Sequence, residues 1–486
     1  MSTAEQVQSS VGRGVAFTVA RHAIVIPVSL VASVVLARLL TPDEFGAFTI
    51  AMVLVMGLGS LFEMGLMSVL IQQASSPSLR EQRTVFTFYL ALFGTLAIAM
   101  WFAAPFLAVW FRLPTDGVDL LHWMTPHLLF GAFGCVSLAR LEREMRFGVL
   151  SVTDIVGVLL DKGLSILLAW GGFGVWSFVW ASLAATSLRI LAVFMAAPWR
   201  MGLAFDRALV TSYLSRGAYF QGINLASLAR DNLLTFVGST LLGTRAVGLL
   251  NWAQNLPGMV TNNANSIYQR VFFPAFARLA EKPAAREDLL WESLRTFLLS
   301  VIPLMVILPS LGDGLVNFVY GASWKDALPV LWLFALRMGA SAISGPLMTY
   351  LNARGEARSS WYWLKRATCI EWTVALLLVH FFGLWGVAIG VASGAVFMAI
   401  GLAAELNQRH PIPLLRVAGP AILLSMVLYA LASSGAAWVT SLPRLIGLLL
   451  FLALAWLAGV TWFERERLRE AWNRRRVEGF QWPKGA

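Results

Sequence analysis

The chain reads as an all-α polytopic membrane protein of about fourteen transmembrane helices, expected as two six-helix lobes around a central cavity plus two C-terminal helices. Three observations predict this: the composition, the recurrence of apolar segments, and a basic-residue bias that alternates from loop to loop. The 486 residues are 58% hydrophobic and only 13% charged, with a mean hydropathy of +0.71. Soluble domains carry roughly 25% charged and 45–50% apolar residues, so this chain is solvated by lipid.

A membrane-crossing helix needs about 20 mostly apolar residues. Such segments fall at 14–37, 45–71, 84–109, 118–139, 149–171, 174–197, 209–241, 245–275, 289–311, 327–350, 361–382, 384–404, 414–434 and 442–463. The stretch from Met1 to Gly12 is polar, and the apolar run after it is long and lacks a small-residue cleavage site. The first segment is therefore expected as a retained helix, not a signal peptide. Segments one to six form an expected N-lobe (1–207), seven to twelve a C-lobe (208–410), then come helices 13 and 14 (411–463) and a basic tail (464–486).

With the N-terminus placed in the cytoplasm, twenty-five of the 37 Lys and Arg residues fall in cytoplasmic loops and the tail, and five (Arg38, Arg112, Arg245, Lys325 and Arg444) fall outside. Cytoplasmic loops of membrane proteins carry such an excess, so the alternation supports an even helix count with both termini inside. The net charge of +11 would suggest nucleic acid in a soluble chain, but here topology accounts for it and no nucleic-acid partner is expected. The Lys and Arg cluster from Glu464 to Arg476 reads as an anchor beside anionic membrane lipid.

Several chemistries are disfavoured. The two cysteines, Cys135 and Cys369, lie in apolar stretches, so neither a disulfide framework nor a cysteine metal site is expected. The closest histidines, His122 and His127, lack other metal ligands nearby in sequence. There is no Walker motif, hence no expected ATP site, and no cofactor is expected. External loops reach no more than about 15 residues, leaving little room for an extracytoplasmic catalytic domain.

Segments one and seven share a pattern. Arg13-Gly14-Val15-Ala16-Phe17 matches Arg216-Gly217-Ala218-Tyr219-Phe220. Further on, Leu39-Leu40-Thr41 and Phe45-Gly46-Ala47-Phe48 match Leu241-Leu242-Gly243 and Val247-Gly248-Leu249-Leu250. Six helices separate the copies, so both run the same way through the bilayer, which is the parallel repeat of a two-bundle transporter.

Ionisable residues inside membrane segments are costly and usually face a cavity or a partner. Arg21, Arg216, Arg230 and Arg337 are candidate diphosphate contacts, because the guanidinium fork binds phosphate bidentately and keeps its charge. The alternative for each is pairing with a carboxylate or a backbone carbonyl. Asp154 and Asp161, seven apart, share one helix face beside Lys162, as an ion relay or as a structural ion pair. Glu63 and Asp231 are the other candidate ion-coupling carboxylates. Arg189, Arg295 and Glu371 read as snorkelling residues. Segment eight carries Asn251, Gln254, Asn255, Asn262, Asn265, Ser266 and Gln269 within about 120° of one face. That stripe is either interhelical glue or a cavity wall that hydrogen-bonds a hydroxyl-rich cargo. Asn224 and Ser227 add to it from segment seven.

Four stretches carry a resemblance to a known family: LARLLTPDEFG from Leu36 to Gly46, EMGLMSVLIQQ from Glu63 to Gln73, NWAQNLP with VFFPAFARL between Asn251 and Leu279, and SWKDALPVLWL from Ser323 to Leu333. In order and spacing they resemble the Wzx-type oligosaccharide flippases, of the multidrug/oligosaccharidyl-lipid/polysaccharide exporter superfamily. Glu63 stands where that family more often has Asp. The resemblance implies fourteen helices and translocation of undecaprenyl-diphosphate-linked oligosaccharide from the cytoplasmic to the periplasmic leaflet of a bacterial inner membrane, for surface polysaccharide such as lipopolysaccharide or exopolysaccharide. It implies a non-enzymatic transporter with a lipid-linked oligosaccharide as its cargo, and a polymerase and other polysaccharide assembly proteins as partners. Two alternatives stay open: a cation-coupled drug antiporter of the same superfamily, and a membrane polymerase or ligase acting on lipid-linked sugars.

Overall fold

The computed structural model describes residues 3–62, 67, 70–71, 77–212, 228, 232–409, 411, 413–465 and 469. These are helical, with short connections. In chain order the helices of eight or more residues are α1 (Thr3–Leu39), α2 (Pro42–Phe62), α3 (Leu79–Trp110), α4 (Gly117–Met124), α5 (Pro126–Arg143), α6 (Phe147–Trp170), α7 (Trp176–Ala196) and α8 (Leu233–Leu242). They continue as α9 (Thr244–Arg278), α10 (Pro283–Ser310), α11 (Leu328–Ala353), α12 (Ala357–Phe382), α13 (Leu384–Arg409), α14 (Leu414–Ala436) and α15 (Leu442–Phe463). Every apolar segment read from the sequence meets a described helix, except that most of the seventh (209–241) lies outside the described residues. The fourth segment is two helices: Pro126 has no N–H to continue α4, and it opens α5 at the position where proline is tolerated.

Among the described residues eight helices are long and apolar enough to cross a membrane by composition alone. Of the other long helices, α6 spans 24 residues with Asp154, Asp161 and Lys162 inside it, and α9 spans 35 with its amide-rich face. Bulky apolar side chains such as Phe102, Val109, Phe381 and Leu415 point outward, as lipid-facing surface requires. The chain is a multi-pass membrane protein.

The chain divides into two compact units, Met1–Leu249 and Leu250–Ala486. In the first, α1 packs on α6, α6 on α7, α7 on α5 and α5 on α3, while α2 lies against α4 and α8. Its core gathers Ile50, Val55, Tyr89, Met100, Leu120, Leu121 and Met124, with Tyr89 stacked on Phe93. The start of α3 is a capping box: the Ser78 hydroxyl accepts from the Glu81 N–H (3.2 Å), and the Glu81 carboxylate accepts from the Ser78 N–H (2.6 Å).

Gly243, at φ +91°, ends α8 and lets α9 begin at the next residue. The first turns of α2 and α9 then meet inside this unit. A Cβ on Gly46 would overlap the Thr244 carbonyl oxygen, and a Cβ on Gly248 would overlap the Pro42 carbonyl oxygen. Beside this contact Thr244 Oγ1 donates to Asp43 Oδ1 at 3.2 Å, and Arg245 lies 3.8 Å from Asp43 Oδ2. The two glycines are the positions that the repeat alignment matches.

In the second unit α12 packs on α13, α13 on α11, α11 on α10, α10 on α14 and α14 on α15. Its core holds Tyr268, Phe276, Leu290, Leu298, Tyr350, Leu351 and Leu402. Gly390 and Gly394 on α13 bring the backbones of α12 and α13 together, since a methyl on either would overlap Ala375 or Glu371. Small residues at such spacing are how membrane helices gain close contact.

Candidate functional site

The first unit holds a charged cavity of about 370 Å³ between α1, α6 and α7. Each helix brings one face to it by ordinary helical phase. From α6 come Asp154, Gly157, Val158 and Asp161, and from α7 come Ser182, Ala185, Thr186 and Arg189, both at i, i+3, i+4, i+7. Arg21, His22 and Val25 come from α1, and Met52 from α2.

Asp154 bridges two guanidiniums. Its Oδ2 lies 2.5 Å from Arg21 NH1, and its Oδ1 accepts from Arg189 Nε at 2.9 Å. Arg21 NH2 also lies 3.4 Å from His22 Nε2. Asp161, one turn pair further along α6, pairs with its neighbour Lys162 at 2.8 Å. The two carboxylates thus share a face of α6 and line one cavity, and Arg21 has a carboxylate partner in this structure. All of these charged side chains stay between one fifth and about one third exposed, so the cavity is reachable. The aliphatic stem of Arg189 lies over Gly157, where a methyl would make only ordinary van der Waals contact with its Cδ at 3.7 Å.

Arg189 is the member that sequence reading assigned to snorkelling. The signal that places it was present: small and hydroxylated residues at Ser182, Ala185 and Thr186 recur on the same face of α7. Glu371, also read as snorkelling, is instead 3% exposed, packed against Gly394. Arg295 ties α10 to the end of α15, with Nε 3.3 Å from Glu464 Oε1 and NH2 donating to the Phe463 carbonyl at 2.9 Å.

In the second unit the polar stripe of α9 divides in two. Asn255, Asn262, Ser266 and Gln269 are exposed and lie within about 60° of one another around the helix. Asn251, Gln254 and Asn265 are half-buried. Gln254 Oε1 accepts from Arg337 NH1 of α11 at 2.7 Å, and Asn265 lies against Gly345 of α11 with its Oδ1 buried and lacking a hydrogen bond. Trp252 and Tyr268, about 100° to either side of the centre of the stripe, are buried; Tyr268 shares a 2.7 Å hydrogen bond with Ser293. Toward the end of α9, Gln269, Arg270, Phe273 and Pro274 face Gly345, Met348, Thr349 and Asn352 of α11 across a cavity of about 450 Å³. Arg216, Asn224, Arg230, Asp231 and Glu63 lie outside the described residues. Among the described residues no cluster of His, Cys, Asp and Glu has the makings of a metal site.

Comparison with known proteins adds four findings. A family model described as "Polysaccharide biosynthesis protein" matches residues 35–329. The chain is 26% identical over 344 residues to the succinoglycan biosynthesis transport protein ExoT of Rhizobium meliloti (strain 1021), covering 70% of this chain and 69% of that one. It is 23% identical over 335 residues to the lipopolysaccharide biosynthesis protein WzxC of Escherichia coli (strain K12), covering 68% of each. Among solved structures, the lipid II flippase MurJ in an inward closed conformation superposes with a TM-score of 0.75 at 15% identity, over 93% of this chain and 100% of that one, which shows a shared fold.

Proposed function

The chain belongs to the polysaccharide biosynthesis protein family, and from that premise we propose that it translocates an undecaprenyl-diphosphate-linked oligosaccharide from the cytoplasmic to the periplasmic leaflet of a bacterial inner membrane. The observation that carries this reading is the cavity of the first unit, where charges from three membrane helices converge on a reachable space. An isolated drug or a purely apolar cargo gives no reason for guanidiniums there, because intramembrane charge is retained at a cost. A diphosphate does give one.

The cargo needs three surroundings. Its polyprenyl tail can stay in lipid, its diphosphate needs cations, and its sugars need hydrogen-bonding partners. The bilayer core denies the last two, which makes spontaneous flipping slow. Arg21, with Arg216, Arg230 and Arg337, would serve the diphosphate. Asn224, Asn251, Gln254, Asn255, Asn262, Asn265 and Gln269 would serve the sugar hydroxyls. The exposed amide face of α9 supports that second role. Two lobes, 1–207 and 208–410, rocking by alternating access would expose the cargo to one leaflet at a time. Both termini lie in the cytoplasm in this proposal, following the distribution of Lys and Arg, and the basic tail rests on anionic lipid. Substrate arrives from, and is passed to, membrane-bound assembly proteins, a polymerase among them. The relatives named for succinoglycan transport and lipopolysaccharide biosynthesis support a saccharide cargo.

Depleting the protein tests this. Lipid-linked oligosaccharide is expected to accumulate beyond reach of a membrane-impermeant sugar-oxidising label, and wild-type protein is expected to release it. Accumulation on the labelled outer face would instead assign the protein to polymerisation or ligation.

A further inference from the structure

We infer that the cavity of the first unit is a phosphate seat occupied by an internal anion: Asp154 holds the guanidiniums of Arg21 and Arg189 until a phosphate group displaces it. This rests on the proposed diphosphate-bearing cargo and adds to it a second arginine and a competitor built into the chain.

The contacts argue for a seat that is filled incompletely. Asp154 meets Arg21 through NH1 alone and Arg189 through Nε alone. An arginine fork offers two parallel donors to one oxyanion, so each guanidinium here uses part of its capacity. A phosphate has more acceptor oxygens and more charge than a carboxylate, and can engage both forks at once. The charges argue the same way. Asp161 is taken up by Lys162 at 2.8 Å, so one carboxylate is left for two guanidiniums. The cavity lining sets Arg21 and Arg189 against Asp154 and Asp161, and it is the engagement of Asp161 by Lys162 that leaves the two guanidiniums short of one counter-charge, which favours an incoming anion. The side chains are 31%, 22% and 35% exposed for Arg21, Asp154 and Arg189, so a ligand can reach them without unpacking the core.

Exchange has a structural consequence. Asp154 is the only residue of α6 in this ion network that ties α6 to both α1 and α7, among the described residues. A phosphate in its place would bridge α1 to α7 directly and cut both ties to α6. Loading of the seat and loosening of α6 are therefore one event.

The test uses the full chain purified in detergent at fixed ionic strength, with inorganic pyrophosphate and farnesyl diphosphate as probes and the ligand-induced rise in melting temperature as the readout. Asp154→Asn removes the competitor and keeps its shape. It is expected to melt lower than wild type without ligand and to bind pyrophosphate about tenfold tighter, because the competent fraction of the seat rises. Arg189→Gln is expected to bind about tenfold weaker. Bound pyrophosphate is expected to yield to farnesyl diphosphate before phosphatidylglycerol; the reverse order would overturn the assignment in favour of a membrane phospholipid. Equal or weaker binding by folded Asp154→Asn would make Asp154 a structural counterion and overturn the proposal. Should that variant not fold, unchanged affinity in Arg189→Gln overturns it equally. The binding result stands apart from the cellular one: a depleted strain without trapped intermediate would remove the cargo reading while leaving the phosphate seat measured.

Discussion

The cavity between α1, α6 and α7 and the outward face of α9 are both polar surfaces in a chain made for lipid, yet they are built from opposite materials. The first concentrates full charges, with two guanidiniums on one carboxylate. The second is made mainly of amides and a hydroxyl, with Arg270 exposed beside Gln269 toward its end and Arg337 held behind it on Gln254. Ions are selective for charge and poor at reading hydroxyl geometry, whereas amides donate and accept in fixed directions. The division suits a cargo with an anionic linker and a neutral glycan. It also separates the energetics: ionic ties stabilise the first unit's helix packing, while the exposed amides of the second contribute little to folding.

Substitutions can break that contrast. The largest effect is expected for Asp154→Ala, which strands two cations and removes the tie between three helices; partial solvation moderates the loss to about 2–3 kcal/mol, measured as a fall in the unfolding midpoint in detergent. Gln254→Ala in the second unit takes one charge-assisted hydrogen bond from Arg337 and is expected to cost about 1.5 kcal/mol by the same measurement. If it matches or exceeds Asp154→Ala, the two surfaces do not differ as described. Arg189→Lys keeps the charge but loses the fork, and a loss of about 1 kcal/mol would show that geometry as well as charge matters in the cavity. The smallest effect on folding is expected for Asn262→Ala on the exposed face of α9, within about 0.5 kcal/mol. Its flipping rate in cells is nonetheless expected to fall about fivefold, the worth of one hydrogen bond to cargo. An unchanged rate there would leave the face without a transport role.

Eight of the described helices were legible because a lipid-facing span must be long and apolar, and that constraint is written in their composition. The break at Thr125 and Pro126 was hidden by the apolar residues on both sides, although the proline marked it. The shared face of Asp154 and Asp161 followed from spacing alone, since seven residues make nearly two turns. The meeting of Arg21 with Asp154 did not, because 133 residues separate them and only the packing of α1 on α6 brings them together. Arg189 was misread because one arginine near a helix end resembles a snorkelling one until its face is known. The stripe on α9 was visible as a stripe, but its division into half-buried and exposed residues depends on how closely α11 packs along it.

The crossing of α2 and α9 is reciprocal. Pro42 and Gly46 on one side trade places with Thr244 and Gly248 on the other, each carbonyl resting on the other's glycine. Such an exchange, where patch i meets j and j meets i, is the signature of a two-fold homodimer. Within one chain the two sides need not be identical, so the position facing Asp43 can carry Arg245, an opposite charge that two identical copies could not present to each other.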